Sequence, residues 1–308
     1  MDRFEELERL LALRCPTLEL RRDEPMSRHT SFHVGGPVRL MALPKTAGEA
    51  KAALLSAKEL DLDPFFLGNG TNLLVPDRGA ERFLIKPAGK YSVGSLNRVW
   101  EANGLLCAGA AVSLANLAGC ALGRSLTGLE FAQGIPGSVG GGVTMNAGAY
   151  GGELAQVLDS VTVLDKAGQE HTFSAGQCGL GYRRSIFSGG DYLILAARFR
   201  LEPGNPAAIE TRMKEQAAKR QEKQPLEYPS AGSTFKRPEG YFAAALIDQC
   251  GLKGLTVGGA QVSEKHAGFV INKGGATCSD ILTLVEQIRE RVKSSTGVEL
   301  ELEVKILR

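Results

Sequence analysis

Two glycine-rich segments of this sequence have the composition expected of a ligand-binding backbone. The longer one has five glycines within nine residues and reads Gly134-Ile135-Pro136-Gly137-Ser138-Val139-Gly140-Gly141-Gly142. The shorter one, Gly68-Asn69-Gly70-Thr71-Asn72, lies between two apolar runs. Because glycine is unfavourable inside regular elements by roughly 0.5–1 kcal/mol, both segments predict loops whose main-chain amides face a ligand, most simply a phosphate. Two such loops could hold a diphosphate from two sides. For the longer segment alone, a tight connection between strands is the alternative.

Neither segment matches a common nucleotide-binding motif. In the shorter segment Gly68 and Gly70 are followed by Leu73, where a dinucleotide fingerprint needs a third glycine. No Gly-x-x-x-x-Gly-Lys-Ser/Thr run occurs in the chain. The ligand is therefore not predicted to bind through either of these motifs.

Three further segments contain reactive side chains. Tyr182-Arg183-Arg184 places two guanidinium groups in a turn, where arginine can bind a carboxylate, although a surface arginine pair is the more common outcome. The segment 224–238 has too many prolines for a helix or a central strand, so an irregular backbone must present its polar side chains. In the alternating segment 298–307, periodicity alone does not distinguish Glu303 from a solvated glutamate.

Composition is that of an ordinary globular protein. The chain has 308 residues, 43% apolar and 23% charged, with a formal net charge of +2 and no stripe of basic residues, so no nucleic-acid partner is expected. The amino terminus lacks a cationic leader and an apolar run, which predicts a cytoplasmic protein without a membrane span. The six cysteines form no Cys-x-x-Cys pair and are expected to be free, mostly buried thiols. His29 and His33 have helical spacing, but 31–34 is predicted to be extended, so no metal site is expected.

The predicted elements that position these residues are mixed helices and strands. Caps and breakers such as Thr46-x-x-Glu49, Ser113, Asn205-Pro206 and Gly297 delimit the helices. The expected helices cover 46–60, 113–122, 206–222, 241–250 and 279–293. The expected strands cover 38–42, 65–67, 105–108, 161–164, 170–173, 192–196, 255–257, 268–271 and 298–307. The break at 203–206 predicts a domain boundary.

Seven of these segments, in order, resemble the motifs of the UDP-N-acetylenolpyruvoylglucosamine reductase (MurB) family, flavoenzymes of bacterial peptidoglycan synthesis. The resemblance covers nearly the whole chain. The matching segments are Thr30-Ser31-Phe32-His33-Val34-Gly35-Gly36, Gly68-Asn69-Gly70-Thr71-Asn72, Gly134-Ile135-Pro136-Gly137-Ser138-Val139-Gly140-Gly141, Asn146-Ala147-Gly148-Ala149-Tyr150-Gly151, Tyr182-Arg183-Arg184-Ser185, Ala231-Gly232-Ser233-Thr234-Phe235-Lys236 and Glu303-Val304-Lys305.

The resemblance implies an α+β fold with a two-subdomain FAD-binding module of the PCMH type followed by an α+β substrate-binding domain. The module would cover 1–203, with subdomains of about 1–95 and 96–203, and the substrate domain would cover 204–308. The short passage from Ser185 to the strand near Leu193 resembles the type II form of the family, which lacks a tyrosine-bearing insertion. What replaces that tyrosine's contact with the substrate is not evident from the sequence.

The resemblance also implies bound FAD, NADPH as the hydride donor, and a UDP-sugar whose enolpyruvyl group is reduced by a monomeric enzyme. Arg183 and Glu303 would stabilise the anionic intermediate, Ser233 would protonate it, and the pKa of Glu303 would be raised if its carboxyl group lies beside an anion. Tyr182, Lys223, Arg237 and Asn272 would contact the substrate, with a solvated helix-end lysine as the alternative for Lys223. The expected FAD contacts are Gly68, Asn69, Gly70, Thr71, Asn72, Gly134, Ile135, Pro136, Gly137, Ser138, Gly140, Gly141, Asn146 and Gly148.

Two other functions fit part of this sequence. One is a different FAD oxidoreductase of the PCMH type that acts on an alcohol or a sugar, but Ser233 and Glu303 argue against it. The other is a non-catalytic binding protein, which the presence of Arg183 together with Ser233 and Glu303 makes less favoured.

Overall fold

A computed structural model describes residues 2–90 and 92–307 of the chain. The chain divides into two compact units, each made of three segments. Unit 1 consists of 1–22, 39–69 and 82–218, and unit 2 consists of 23–38, 70–81 and 219–308. The chain therefore enters and leaves unit 2 twice before its carboxy-terminal third completes it. The predicted domain boundary at residue 203 stays a prediction.

The helices begin and end at residues suited to capping. Thr46 Oγ1 accepts a hydrogen bond from Glu49 N (3.2 Å), Ser113 Oγ from Asn116 N (3.1 Å), and Asn205 Oδ1 from Ala207 N (2.9 Å). The α-helices of the described residues are α1 (Arg3–Arg14), α2 (Ala47–Glu59), α3 (Leu114–Leu122), α4 (Val139–Thr144), α5 (Pro206–Lys223), α6 (Ala243–Gln249) and α7 (Cys278–Thr296). Short 3₁₀ turns cover Met26–Arg28, Glu130–Ala132, Leu154–Gln156, Ala175–Gln177 and Ile186–Gly189.

The strands of the described residues are mostly short. They are β1 (Glu19–Pro25), β2 (Pro37–Leu43), β3 (Phe65–Phe66), β4 (Leu73–Leu74), β5 (Ala80–Ile85), β6 (Val99–Ala102), β7 (Leu105–Gly109), β8 (Leu126–Thr127), β9 (Gly148–Ala149), β10 (Gly152–Glu153), β11 (Leu158–Asp165), β12 (Glu170–Ser174), β13 (Tyr192–Phe199), β14 (Glu202–Pro203), β15 (Thr256–Val257), β16 (Ala260–Val262), β17 (Val270–Asn272) and β18 (Lys305–Ile306). One sheet has the order β1-β2-β5-β3, with β3 parallel to β5.

Unit 1 contains a five-stranded antiparallel sheet and two hydrophobic cores. The sheet order is β12-β11-β13-β7-β6. The first core joins α1 and α2 through side chains such as Leu7, Leu11 and Leu54. The second packs α3 and α4 against the five-stranded sheet through residues such as Leu117 and Val143. The second core also buries Ala132 and Val139 and thereby holds the glycine-rich segment 134–142 in place.

Unit 2 has one core around the amphipathic helix α7. Ile281, Leu284 and Ile288 of this helix pack on the antiparallel strands β15-β16-β17. Phe32 and Leu74, from the two early segments, are buried in the same core. The early segments are therefore integral to unit 2.

Several predicted elements differ from the structure. The expected strand 298–307 has a strand ladder only at Lys305–Ile306, because its partner β4 has just two residues, and Leu302 adds one isolated bridge to Phe235. Leu307 is buried in place of Ile306. The segment 31–34 is not extended, because the His33 amide donates to Thr30 O (3.1 Å) and closes a turn at Ser31 and Phe32. Helix α1 was not predicted, although Asp2 and Glu5 form a capping box at its start.

The six cysteines are free thiols, three of them buried. Burial raises the pKa of Cys178 and of Cys278 to about 11. These two thiols are therefore protonated and unreactive at neutral pH.

Candidate functional site

The segment 68–72, called the Gly-Asn turn below, connects β3 to β4 and has an unusual hydrogen-bond inventory. None of its five main-chain amides donates to an acceptor within the described part of the chain. Gly70 has φ +63°, and a Cβ there would lie 1.9 Å from His29 O. Ser31 N donates to Gly70 O (3.1 Å), so the turn is held from its carbonyl side. Five successive amides without internal acceptors are what an anionic ligand requires.

The second glycine-rich segment is built differently, because its last part is helix α4 and not a loop. The amides of Val139, Gly140 and Gly142 donate to Val112 O (2.7 Å), Ala110 O (3.0 Å) and Ser138 O (2.7 Å). Gly141 N donates to Ser138 Oγ (3.3 Å), which makes Ser138 the N-cap. The amides of Gly140 and Gly141 therefore already donate within the protein and are not open to a ligand.

Open donors remain in the first part of this segment. The amides of Gly134, Gly137 and Ser138 have no acceptor among the described residues. Ile135 N donates to Ala132 O (3.1 Å), and Pro136 has no amide hydrogen. The segment thus offers three donors where nine residues had been predicted as a ligand-binding loop.

Within unit 1, Gly68 and Asn69 of the Gly-Asn turn lie next to the segment 134–142. A Cβ on Gly68 would lie 2.8 Å from Ser138 Oγ and 3.5 Å from Gly141 Cα. Asn69 Nδ2 donates to Pro136 O at 3.5 Å. Glycine at 68 is therefore required for the close approach, which leaves the open amides of Gly68 and Asn69 beside the second segment. These donors fit a diphosphate such as that of FAD.

Asn146 and Gly148 have internal roles in the structure. The buried Asn146 side chain donates to Gly181 O (3.3 Å) and accepts from Ala155 N (2.9 Å). A Cβ on Gly148 would lie 2.6 Å from Gly152 O, which the pairing of β9 with β10 does not allow. Their predicted contact with the cofactor stays a prediction, and their observed function is to support neighbouring loops.

The tyrosine-arginine turn of unit 1 presents Arg183. Gly181 and Arg184 exchange main-chain hydrogen bonds of 3.1 and 3.2 Å, with Tyr182 and Arg183 between them. Arg183 has φ +56°, a conformation that is strained for a residue with a Cβ, and its guanidinium carbon lies 5.4 Å from the centre of the exposed Tyr182 ring. Strain of this kind clusters at ligand sites, where surrounding contacts hold it in place.

Unit 2 brings Ser233 and Glu303 onto neighbouring chain segments. Phe235 pairs antiparallel with Leu302, and Glu303 N donates to Thr234 O (2.9 Å). Ser233 is exposed, and its hydroxyl has no partner among the described residues, whereas Glu303 is half-buried. An accessible hydroxyl thus lies one residue from the main-chain contact with Glu303.

Thr234 fixes the position of Ser233, and sequence reasoning did not identify it. It is 1% exposed, its amide donates to Gly268 O (2.9 Å), and its Oγ1 accepts from Val270 N (2.9 Å). Its threonine side chain carries no spacing signal in the sequence, because both partners lie more than thirty residues away. Only the tertiary structure reveals this anchor.

The four residues expected to contact the substrate lie in different environments. Lys223 is exposed at the end of α5, and Tyr182 is exposed in its turn. The Arg237 guanidinium carbon lies 4.0 Å from the centre of the exposed Phe242 ring. Asn272 is buried, and its side chain bonds to Phe32 O (2.9 Å), Gly274 N (3.0 Å) and Ala276 N (3.1 Å). The Asn272 amide therefore has a structural role in unit 2.

Basic groups lie near Glu303 along the chain. Packing around its ammonium group lowers the pKa of Lys305, and the charge of Lys236 contributes to the same shift, although the residue as a whole reaches the surface. Lys236 forms an ion pair with Glu301. The region is consequently able to attract an anionic ligand.

No helix within residues 2–90 and 92–307 has the length and apolar character needed to cross a bilayer. In the same part of the chain, no group of three or more histidine, cysteine, aspartate or glutamate side chains is arranged to hold a metal ion.

Comparison with known proteins identifies relatives over the full length. Residues 38–174 match the family model "FAD binding domain", and 224–307 match "UDP-N-acetylenolpyruvoylglucosamine reductase, C-terminal domain". Proteins named UDP-N-acetylenolpyruvoylglucosamine reductase are 44% identical in Clostridium kluyveri, over 100% of this chain and 99% of that protein, and 49% identical in Agathobacter rectalis, over 95% of each.

A solved structure agrees with these relatives. The crystal structure of the MurB reductase from Thermus caldophilus has a TM-score of 0.80 and 34% identity, covering 94% of this chain and 100% of that one. The matches confirm the predicted α+β fold with an FAD-binding module of the PCMH type followed by a carboxy-terminal domain.

Proposed function

The chain belongs to the UDP-N-acetylenolpyruvoylglucosamine reductase family, and from this premise we propose how its residues perform the reaction. The protein is an oxidoreductase that uses FAD and NADPH to reduce the enolpyruvyl group of UDP-N-acetylglucosamine enolpyruvate to UDP-N-acetylmuramate. The observation that carries the residue assignments is the main-chain pairing that places Ser233 beside Glu303 in unit 2.

The open amides of the Gly-Asn turn and of Gly134, Gly137 and Ser138 hold the FAD diphosphate. When bound there, FAD would supply hydride chemistry, with NADPH as the hydride source and the enolpyruvyl double bond as the acceptor. Gly140 and Gly141 contribute by the absence of side chains, since their amides are engaged elsewhere. The main-chain amides thus fix the position of the cofactor without any charged residue in either segment.

Ser233 donates the proton that completes the reduction. Hydride addition leaves negative charge on the adjacent carbon and its carboxylate, and this carbon is basic enough to take a proton from an alcohol. The exposed hydroxyl of Ser233, held in place by the buried Thr234, is suited to this transfer. The serine alkoxide regains its proton from solvent after the transfer.

Arg183 and Glu303 stabilise the anion before it is protonated. A guanidinium group on the developing carboxylate is worth roughly 3–4 kcal/mol in comparable sites. Arg183 has a left-handed conformation in its tight turn, and its guanidinium group lies over the exposed Tyr182 ring. Glu303 acts as a hydrogen-bonding carboxyl group toward the anion, which requires its protonated form.

Tyr182, Lys223 and Arg237 contact the UDP-sugar, because all three are exposed and two are cationic. Arg237 and Phe242 offer the contact that the missing tyrosine insertion provides in longer family members. Asn272 supports this region through the main chain of unit 2. The enzyme acts as a monomer in the cytoplasm, where NADPH and UDP-sugars are available.

The experiment that tests this function is anaerobic absorption spectroscopy of the purified protein. We expect a flavin spectrum that is bleached by NADPH and restored by UDP-N-acetylglucosamine enolpyruvate. Ser233→Ala should slow the restoration by at least about a hundredfold and leave bleaching nearly unchanged. Equal losses in both steps would refute the role of Ser233, and restoration by oxygen alone would indicate an oxidase.

A further inference from the structure

The side chain of Asn72 contacts the chain segment that contains Glu303. Asn72 Nδ2 donates to Glu303 O (3.1 Å), and Lys305 N donates to Asn72 O (3.1 Å). Asn72 therefore binds on both sides of Val304. Glu303 N donates to Thr234 O (2.9 Å), so the main chain of Glu303 is held through both of its polar groups.

The strand ladder does not reach Glu303. Strand β18 pairs in parallel with β4 only from Lys305, opposite Leu73, and from Ile306, opposite Leu74. A further ladder pair would be needed to fix the residues before Lys305, but β4 begins at Leu73. The Asn72 side chain supplies the hydrogen bond that this missing pair does not provide.

The main-chain and side-chain amides of Asn72 differ in their partners. The main-chain amide, like the other four of the Gly-Asn turn, has no acceptor among the described residues. Its side-chain amide is directed to the Glu303 carbonyl. By contrast, the side chain of Asn69, in the same turn, reaches Pro136 in the second glycine-rich segment.

We infer that Asn72 is a positioning residue that sets the orientation of Glu303 toward the substrate. The inference rests on the proposed role of Glu303 in stabilising the anion. The Asn72 side chain then serves the reaction of the substrate, and only the Asn72 main-chain amide contacts the cofactor. The two main-chain bonds of Glu303 then align its carboxyl group with Ser233 on the neighbouring segment.

Asn72→Asp tests the inference with little change in shape, because an ionised carboxylate keeps the size of the amide and loses the N–H donor. Asn72→Ala shows whether any loss comes from the new charge. Rates are measured per bound flavin in two single-turnover steps. We expect reoxidation by the enolpyruvyl substrate to slow by about tenfold, the effect of one hydrogen bond, while reduction by NADPH changes by less than about twofold.

Asn97→Ala is the matched control. Asn97 Nδ2 donates to Gly89 O (2.9 Å), which is the same kind of bond in a part of unit 1 that has no proposed site residue. We expect it to leave the rates of both steps unchanged. Thermal unfolding of the two alanine variants shows whether they lose comparable stability.

Glu303→Ala provides a double-mutant cycle, because alanine removes the hydrogen-bonding group that a glutamine would keep. If Asn72 acts through Glu303, adding Asn72→Asp to Glu303→Ala should slow reoxidation by less than about twofold more than Glu303→Ala alone. Additive losses would overturn the inference, and so would folded Asn72 variants that bind no flavin, since the Asn72 side chain would then hold the cofactor. If Glu303→Ala alone has no effect, the proposed function of Glu303 fails, which is a separate result. If Asn72→Asp does not fold, Asn72→Ala takes its place in the cycle.

Discussion

The two glycine-rich segments have similar compositions and different hydrogen-bond inventories. In the Gly-Asn turn all five amides lack acceptors among residues 2–90 and 92–307. In the segment 134–142 the later amides donate to Ala110, Val112 and Ser138, and the glycines allow close packing of helix α4. Glycine density therefore indicates close approach of the backbone, but only the inventory of amides distinguishes approach to a ligand from approach to the protein itself.

The largest effect is expected for Gly70→Ala in the Gly-Asn turn. A Cβ there would lie 1.9 Å from His29 O, a main-chain atom that cannot move alone, and φ is +63°. We expect the variant to lose more than about 3 kcal/mol of unfolding free energy and to purify without flavin. Chemical denaturation and the visible spectrum measure both effects.

Gly104→Ala is the control for Gly70→Ala. Gly104 has φ +72° and no atom within 4 Å of an added Cβ. The Gly104→Ala variant should lose only about 1–2 kcal/mol of unfolding free energy, because alanine is unfavourable in the left-handed conformation, and it should keep its flavin. Equal losses at the two positions would show that the contact with His29 is unimportant.

A second prediction concerns the entry to the segment 134–142. Glu130 is 8% exposed and accepts hydrogen bonds from Thr127 Oγ1 (2.6 Å), Gly128 N (2.8 Å) and Arg212 (2.7 Å). Burial acts to raise the pKa of Glu130, but these hydrogen bonds and the Arg212 charge outweigh it, and the pKa is lowered.

A lowered folded-state pKa means that this stabilisation is present above the usual glutamate pKa and is lost as the pH falls through the folded-state value. Glu130→Gln should therefore cost about 2 kcal/mol at pH 7 and show a smaller loss of stability than the wild type on acidification to about pH 4. Denaturation curves at several pH values test this, and parallel curves for the two proteins would contradict it.

A smaller effect is expected for the N-cap of α4. Ser138→Ala removes the acceptor for Gly141 N and should lower the free energy of unfolding by about 1 kcal/mol. The Ser138 main-chain amide remains, so flavin should stay bound after dialysis. Release of flavin with unchanged stability would mean that the hydroxyl binds the cofactor directly.

The smallest effect is expected at Gly142, a glycine of the second segment whose role is packing. A Cβ added to Gly142 would lie 3.0 Å from Leu114 Cδ1, and the Gly142 amide donates to Ser138 O. The gain in helix propensity and the cost of overpacking are each about 1 kcal/mol, so Gly142→Ala should change stability by less than about 1 kcal/mol. A large loss of stability, measured by thermal unfolding, would show that Gly142, like Gly70, cannot accommodate a side chain.

Local signals predicted the helices better than the strands. Thr46, Ser113 and Asn205 each accept the capping bond that the sequence suggested. The strand expected at 298–307 is short in the structure, because strand length depends on the partner, and β4 offers only Leu73 and Leu74. A sequence pattern contains no information about the length of a distant partner.

The candidate site shows the same limit. The motifs that carry the family resemblance identified Ser233 and Glu303, but their pairing through Thr234 depends on a tertiary register that no local pattern encodes. Glycine composition predicted open amides at Gly140 and Gly141, where the structure has a capped helix. The internal roles of Asn146 and Asn272 depend on partners that are distant in sequence, Gly181 and Phe32.

The three-segment construction of unit 2 has a consequence for biosynthesis. The hydrogen bond from Asn72 to Glu303 spans 231 residues, and that from Asn272 to Phe32 spans 240. During translation, residues 23–38 and 70–81 leave the ribosome long before the chain that completes their core. Contacts of such long range are slow to form. On a growing polypeptide unit 1 is therefore expected to collapse first, and unit 2, which contains Ser233 and Glu303, to be completed only at the final stage of folding.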